Sequence, residues 1–208
     1  MQKLNKILPI ILLFSFISIS LSKEMSKDEM YNNLSKKYSN LETVHLLFSI
    51  DNNSKLYGEL YAKKGGKMQL SLKDNIIISD GNSIWNINPG SSVSISDYEM
   101  TSDFSLETIF FNLIKELEPY SLTSINKSNS SDKYNLKLVP KGQSSYKEKI
   151  KSLNLYFDSS QKMTKVFVQS QDGSSLNYVI ELLEVNPNIS NEKFTYKPDG
   201  NLEVIDFR

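Results

Sequence analysis

His45 is the one imidazole in 208 residues, and there is no cysteine at all. The side chains that usually carry nucleophilic or metal chemistry are therefore nearly absent. Without cysteine there is no disulfide framework, no thiolate metal site, no thiol nucleophile and no thioether lipid anchor. A zinc site would need carboxylates almost alone, which suits zinc poorly. His45 lies on the outward phase of a predicted strand and reads as a bystander rather than a general base. Asp80-Gly81 and Asp172-Gly173 read as turns, and the acidic pairs Asp28/Glu29 and Asp97/Glu99 as solvated surface. No Gly-x-Ser-x-Gly elbow, phosphate-cradling glycine loop or EF-hand spacing is present. The expectation is no catalytic residue, no metal, no cofactor and no enzymatic activity.

What remains is apolar surface. Lys and Arg number 24 against 24 Asp and Glu, and mean hydropathy is −0.36, which argues against a nucleic-acid partner and against a polytopic membrane protein. Tyrosine (11), phenylalanine (10) and methionine (6) are plentiful. Flat and flexible side chains of this kind suit a pocket that accepts varied apolar chains, although they also suit an ordinary core.

The elements that must position such a pocket are legible in the periodicity. Ser26-Lys27-Asp28-Glu29 fits a capping box, and behind it Met30, Leu34, Tyr38 and Leu41 recur at helical spacing. From Val44 the period changes to two, with Val44, Leu46, Phe48 and Ile50 on one face. Further strands are predicted over 56–62, 67–72, 75–79 and 84–87 and around Val93 and Ile95, separated by turns such as Asp80-Gly81-Asn82. Leu106, Ile109, Phe110, Leu113, Ile114 and Leu117 then mark a second amphipathic helix over 105–117, stopped by Pro119. After a polar loop, strands are predicted over 134–139, 153–157, 163–169 and 176–184, with a last short one near 194–196. Meander spacing of this kind reads as one antiparallel sheet curled toward a barrel, with the helices burying their apolar faces on its concave side. The fold class is mainly β with helices (α+β): an incomplete antiparallel β-barrel of about ten to eleven strands, helical lids and an apolar cavity, in a single domain over 23–208.

Residues 1–22 read as a cleaved signal peptide. Lys3 and Lys6 supply the positive start, Ile7 to Leu21 the apolar stretch, and Ser20-Leu21-Ser22 the small residues of a cleavage site. The stretch is short of the roughly 20 residues a membrane-spanning helix needs. The mature chain is expected to be exported and soluble.

Three segments resemble one family. Ile78-Ser79-Asp80-Gly81-Asn82-Ser83-Ile84-Trp85-Asn86-Ile87-Asn88-Pro89 resembles the SDG-x-x-[LI]-W hairpin of the periplasmic outer-membrane lipoprotein carriers, the localisation chaperones known as LolA. Gly58-Glu59-Leu60-Tyr61-Ala62-Lys63-Lys64 is similar to that family's strand ending in Lys-Arg-Pro. Lys193-Phe194-Thr195-Tyr196-Lys197-Pro198-Asp199-Gly200 and the residues to Asp206 resemble its C-terminal motif. The resemblance implies a periplasmic chaperone that binds the acyl chains of triacylated lipoproteins. It would take them from an inner-membrane ABC-type release complex to an outer-membrane acceptor, as a monomer.

On this footing Phe48, Met68, Leu70, Trp85 and Ile87 are expected to line the acyl cavity from the strands, and Ile109, Phe110 and Leu113 from the lid. Phe110→Glu is then expected to abolish capture while leaving secondary structure intact. In the family an arginine latches the lid to the sheet; Lys64-Gly65 stands at its Arg-Pro here. Lys64 keeps the charge without the planar fork, which implies a weaker or shared latch. The alternatives are a sensor domain of the same fold, an insertase-like acceptor without its anchor and, last, an enzyme.

Overall fold

The computed structural model describes residues 25–208 apart from 53, 99–105, 129 and 199, and leaves aside the side chains of 51–54. The predicted signal peptide and Glu99 lie outside the described residues. Helix α1 spans Lys27–Ser39, and Ser26 caps it by accepting from the Glu29 amide at 3.1 Å. Met30, Leu34 and Tyr38, spaced four apart, form the stripe that α1 buries.

Twelve strands follow in one sheet: β1 Thr43–Asn52, β2 Ser54–Lys63, β3 Lys67–Leu72, β4 Asn75–Asp80, β5 Ser83–Asn88, β6 Ser92–Asp97, β7 Leu117–Ser124, β8 Tyr134–Pro140, β9 Ile150–Phe157, β10 Met163–Ser170, β11 Ser175–Val185 and β12 Glu203–Asp206. Their order is β12-β6-β5-β4-β3-β2-β1-β11-β10-β9-β8-β7. Two antiparallel meanders are thus joined along the long β1–β11 pairing, and the sheet stays open between β12 and β7. This is the incomplete barrel expected from the sequence.

Three details differ from expectation. Residues 117–124, where the periodicity assigns only a helix end at 117, form a strand. Proline is admissible there because β7 is an edge strand, and the ladder slips by one residue between Pro119 and Ser121. The segment expected as a strand near 194–196 is instead a 3-10 turn, Asn191–Phe194, capped by Ser190. The tail, to which the periodicity assigns no strand, forms β12 and pairs in parallel with β6.

The second helix occupies 106–116. It begins as an α-turn at Leu106–Thr108, widens into a π-helix over Ile109–Leu113 and closes with Ile114–Glu116. It connects β6, beside one edge of the sheet, to β7 at the other, so it must cross a face. That face is the concave one, where it shares a continuous core with α1 and the inward residues of β1, β2 and β8–β11. Side-chain donors pin α1 to the β7 edge: Tyr31 Oη donates to the Leu117 carbonyl (2.6 Å) and Lys27 Nζ to that of Pro119 (3.2 Å). Among the described residues no helix is long and apolar enough to cross a membrane.

Candidate functional site: a lidded cavity on the concave face

Cross-strand register shows which residues share the inner face. Phe48 pairs with Gly58, Leu60 with Leu70, Leu70 with Ile77, Ile77 with Asn86, and Asn86 with Ser94. Side chains opposite one another in an antiparallel ladder point to the same side. These positions enclose a cavity of about 470 Å³, lined chiefly by Phe48, Met68, Leu70, Ile77 and Tyr178, with Leu106 contributed by the second helix. Gly58 is required where Phe48 crosses β2, since a Cβ there would collide with the ring. Tyr178 meets Phe48 edge-on at 5.6 Å, and burial pushes its phenol up to about 12.

The predicted site residues divide into three groups. Phe48, Met68 and Leu70 line the cavity. Ile109, Phe110 and Leu113 are at most 1% exposed and fill the concave face beside it, so they plug the barrel rather than face its open space. Phe110 packs 5.9 Å from the Tyr38 ring on α1. A carboxylate at Phe110 would therefore be buried without a partner, and Phe110→Glu is expected to disturb the fold as well as capture.

Trp85 and Ile87 are corrected. The ladder aligns Ile78, Trp85 and Ile95 on the outer face, where Trp85 stacks on Tyr196 with centroids 5.8 Å apart. Ile87 lines a separate outer groove of about 580 Å³ with Ile76, Ile78 and Tyr196. The segment after β11 lies over this face as a strap, its 3-10 turn packing on β3 and β4. It is fastened by Lys63 Nζ to Asn191 (3.1 Å) and by Lys193 over the Tyr61 ring (3.6 Å). Outward apolar residues are thus partly buried without belonging to the cavity.

Lys64 does not touch the lid among the described residues. Its ammonium meets Glu42 at 3.4 Å with both side chains more than half exposed, an arrangement worth little in water. The lid is held elsewhere. Tyr98 Oη donates to Glu107 Oε2 at 3.1 Å, and Thr108 Oγ1 donates to the same oxygen at 3.4 Å. Glu107 is only 2% exposed, on the first turn of the lid. Burial, reinforced by the charge and hydrogen bond of Glu107, raises the Tyr98 phenol above its ordinary range. The Tyr98 ring lies over Gly66, where a Cβ would come within 2.7 Å of it. Sequence reasoning missed this pair. Its trace was an acid at 107 sharing a helix face with Phe110 and Ile114, three and seven residues on.

His45 faces outward as expected but is not idle surface. Its Nδ1 meets Glu184 at 2.7 Å and its Nε2 meets Glu59 at 2.9 Å, while its ring stacks on Tyr61 at 4.3 Å. It braces β1 against β11 and β2, on the face opposite the cavity.

The comparisons with known proteins follow this geometry. The crystal structure of an uncharacterised conserved protein from Thermus thermophilus superposes with a TM-score of 0.52 at 11% identity, over 86% of this chain and 98% of that one. At this identity the likeness shows the fold alone. A putative outer membrane lipoprotein-sorting protein domain from Vibrio parahaemolyticus aligns more loosely, with a TM-score of 0.41 and 10% identity over 81% of this chain and 95% of that one. No curated protein matches the chain. The profile of the family described as "Outer membrane lipoprotein carrier protein LolA" matches residues 47–197, from inside β1 to the strap. That span covers most of the 208 residues and every strand around the cavity, and on it the chain belongs to the LolA family of outer membrane lipoprotein carriers.

Proposed function

We propose that this chain is a periplasmic carrier that takes up the acyl chains of triacylated lipoproteins at the inner membrane and delivers them to the outer membrane. The observation that carries this reading is the concave cavity, walled by Phe48, Met68, Leu70 and Tyr178 and closed by a helix whose apolar residues occupy the rest of the barrel. Each methylene kept from water is worth about 0.8 kcal/mol, so three long chains left exposed would cost on the order of 30 kcal/mol. A carrier needs apolar surface that is hidden when empty and offered when cargo arrives.

The cavity as closed, about 470 Å³, is the size of a small-ligand pocket and too small for several long chains together. Uptake therefore requires the second helix to move, exchanging contacts with Ile109, Phe110 and Leu113 for contacts with acyl chains. One hydrophobic lining serves both states, so loading and release need no cofactor and no chemical step. The signal peptide at 1–22 would deliver the chain to the periplasm, an ABC-type release complex would load it and an outer-membrane acceptor would unload it.

The test is release from spheroplasts. Adding the purified chain is expected to bring newly made triacylated lipoprotein into the soluble fraction as an equimolar complex. Lipoprotein that stays on the membrane overturns the reading. Recovery from periplasm with a signalling protein and no lipid would favour the sensor alternative.

A further inference from the structure

The inner face reverses its chemistry at β5 and β6. On β3 and β4 the side chains facing the cavity are Met68, Leu70, Leu72 and Ile77; on the next two strands they are Asn86, Ser94 and Ser96, with Ile84 the one exception. The apolar residues of those strands, Trp85, Ile87, Val93 and Ile95, face the other way. Val93 is 0% exposed. The alternation is thus intact and its sense inverted, which leaves polar groups inside the cavity without weakening the sheet.

These groups are contiguous and underused. Asn86 lies directly opposite Ser94, and Ser96 lies two pairs further along the same ladder, opposite Ile84. Asn86 Oδ1 accepts from Asn75 Nδ2 at 2.6 Å, which leaves the Asn86 amide donors without a protein acceptor among the described residues. The hydroxyls of Ser94 and Ser96 likewise have no hydrogen-bond partner there. Leu106, the first described residue of the lid, borders the same cavity.

Resting on the carrier reading, we propose that Asn86, Ser94 and Ser96 form a subsite for the ester carbonyls that join acyl chains to a glyceryl head. An ester carbonyl taken from water needs a donor or its burial is costly. Hydroxyl and amide donors on one wall supply that need and fix the cargo's polarity. The head is held against β5 and β6, and the hydrocarbon runs toward Phe48, Met68 and Tyr178. The same chemistry would serve a lipoprotein or a free glycerolipid.

The experiment compares the wild-type chain with Ser94→Val/Ser96→Val, and with Ser94→Ala/Ser96→Ala as a smaller change should valine perturb packing. A pyrene-labelled alkane, bound directly, reports the hydrocarbon wall. Its displacement by a tripalmitoylated cysteinyl peptide and by dipalmitoylglycerol reports the ester contacts. Both ester ligands are expected to lose roughly tenfold in affinity on the variants, while the alkane binds at least as tightly. The ester ligand with the higher wild-type affinity identifies the source of the head group. Equal loss for all three ligands, or no loss for the esters, overturns the subsite. Failure of the wild-type chain to bind any of them overturns the carrier reading itself.

Discussion

Tyr98 and Glu107 tie the start of the second helix to the sheet side through one hydrogen bond. The carboxylate is buried at the start of the lid, and the phenol that donates to it is anchored on the sheet side over Gly66. Removing the hydroxyl leaves a buried acceptor short of a donor, so Tyr98→Phe is expected to lower stability by about 1–3 kcal/mol in urea titrations. Lys64→Ala, which breaks only an exposed ion pair, is expected to change it by no more than about 1 kcal/mol. Larger losses from the lysine would return the latch to it. Tyr178 makes a separate prediction. Its folded-state value is raised from 10.0 to about 12 because burial disfavours the phenolate. Its contribution is complete below pH 10 and is lost as the pH climbs toward 12. Tyr178→Phe should therefore show a shallower loss of stability across that window, followed by circular dichroism.

At the scale of elements the lid is also the plug. Phe110 contributes a nearly sealed aromatic ring to the contact with α1, so Phe110→Ala is expected to cost about 3–5 kcal/mol. If the second helix gates the cavity, the same substitution accelerates uptake of a pyrene-labelled alkane in stopped-flow fluorescence; an unchanged rate would separate the helix from gating. Most elements were legible because their periods are clean. Met30, Leu34 and Tyr38 repeat every four residues, and Val44, Leu46, Phe48 and Ile50 recur at every second position, with Leu47 the one apolar residue out of phase. β7 was not legible because Pro119 signals a stop. It is admitted only because β7 became an edge, a property of the assembled sheet. The strand spacing of Phe194 and Tyr196 points to a strand near 194–196; in the fold Phe194 ends a 3-10 turn and is buried, and Tyr196 stacks on Trp85.

Across the whole molecule the sheet has two buried faces of different kinds, one against the lid and α1, the other under the strap. Trp85, the single tryptophan, reports on the second. Loading the cavity with an acyl ligand is expected to leave its emission wavelength unchanged, whereas Tyr196→Ala is expected to shift it to the red. A large shift on acyl binding would place Trp85 back in the cavity wall.

The amino-acid sequence alone determined the scarcity of histidine and cysteine, most of the succession of strands and helices, and the motifs that mark the family. The tertiary structure decided which way Trp85 and Ile87 point, which residues latch the lid and where the polar wall of the cavity lies. The physical reason is that a period of two states that neighbours alternate, not which of them faces inward. On β5 Trp85 and Ile87 could turn outward because Tyr196, on a strap from the far end of the chain, lies against that face. Only the folded sheet brings that strap, more than a hundred residues away in sequence, to their side.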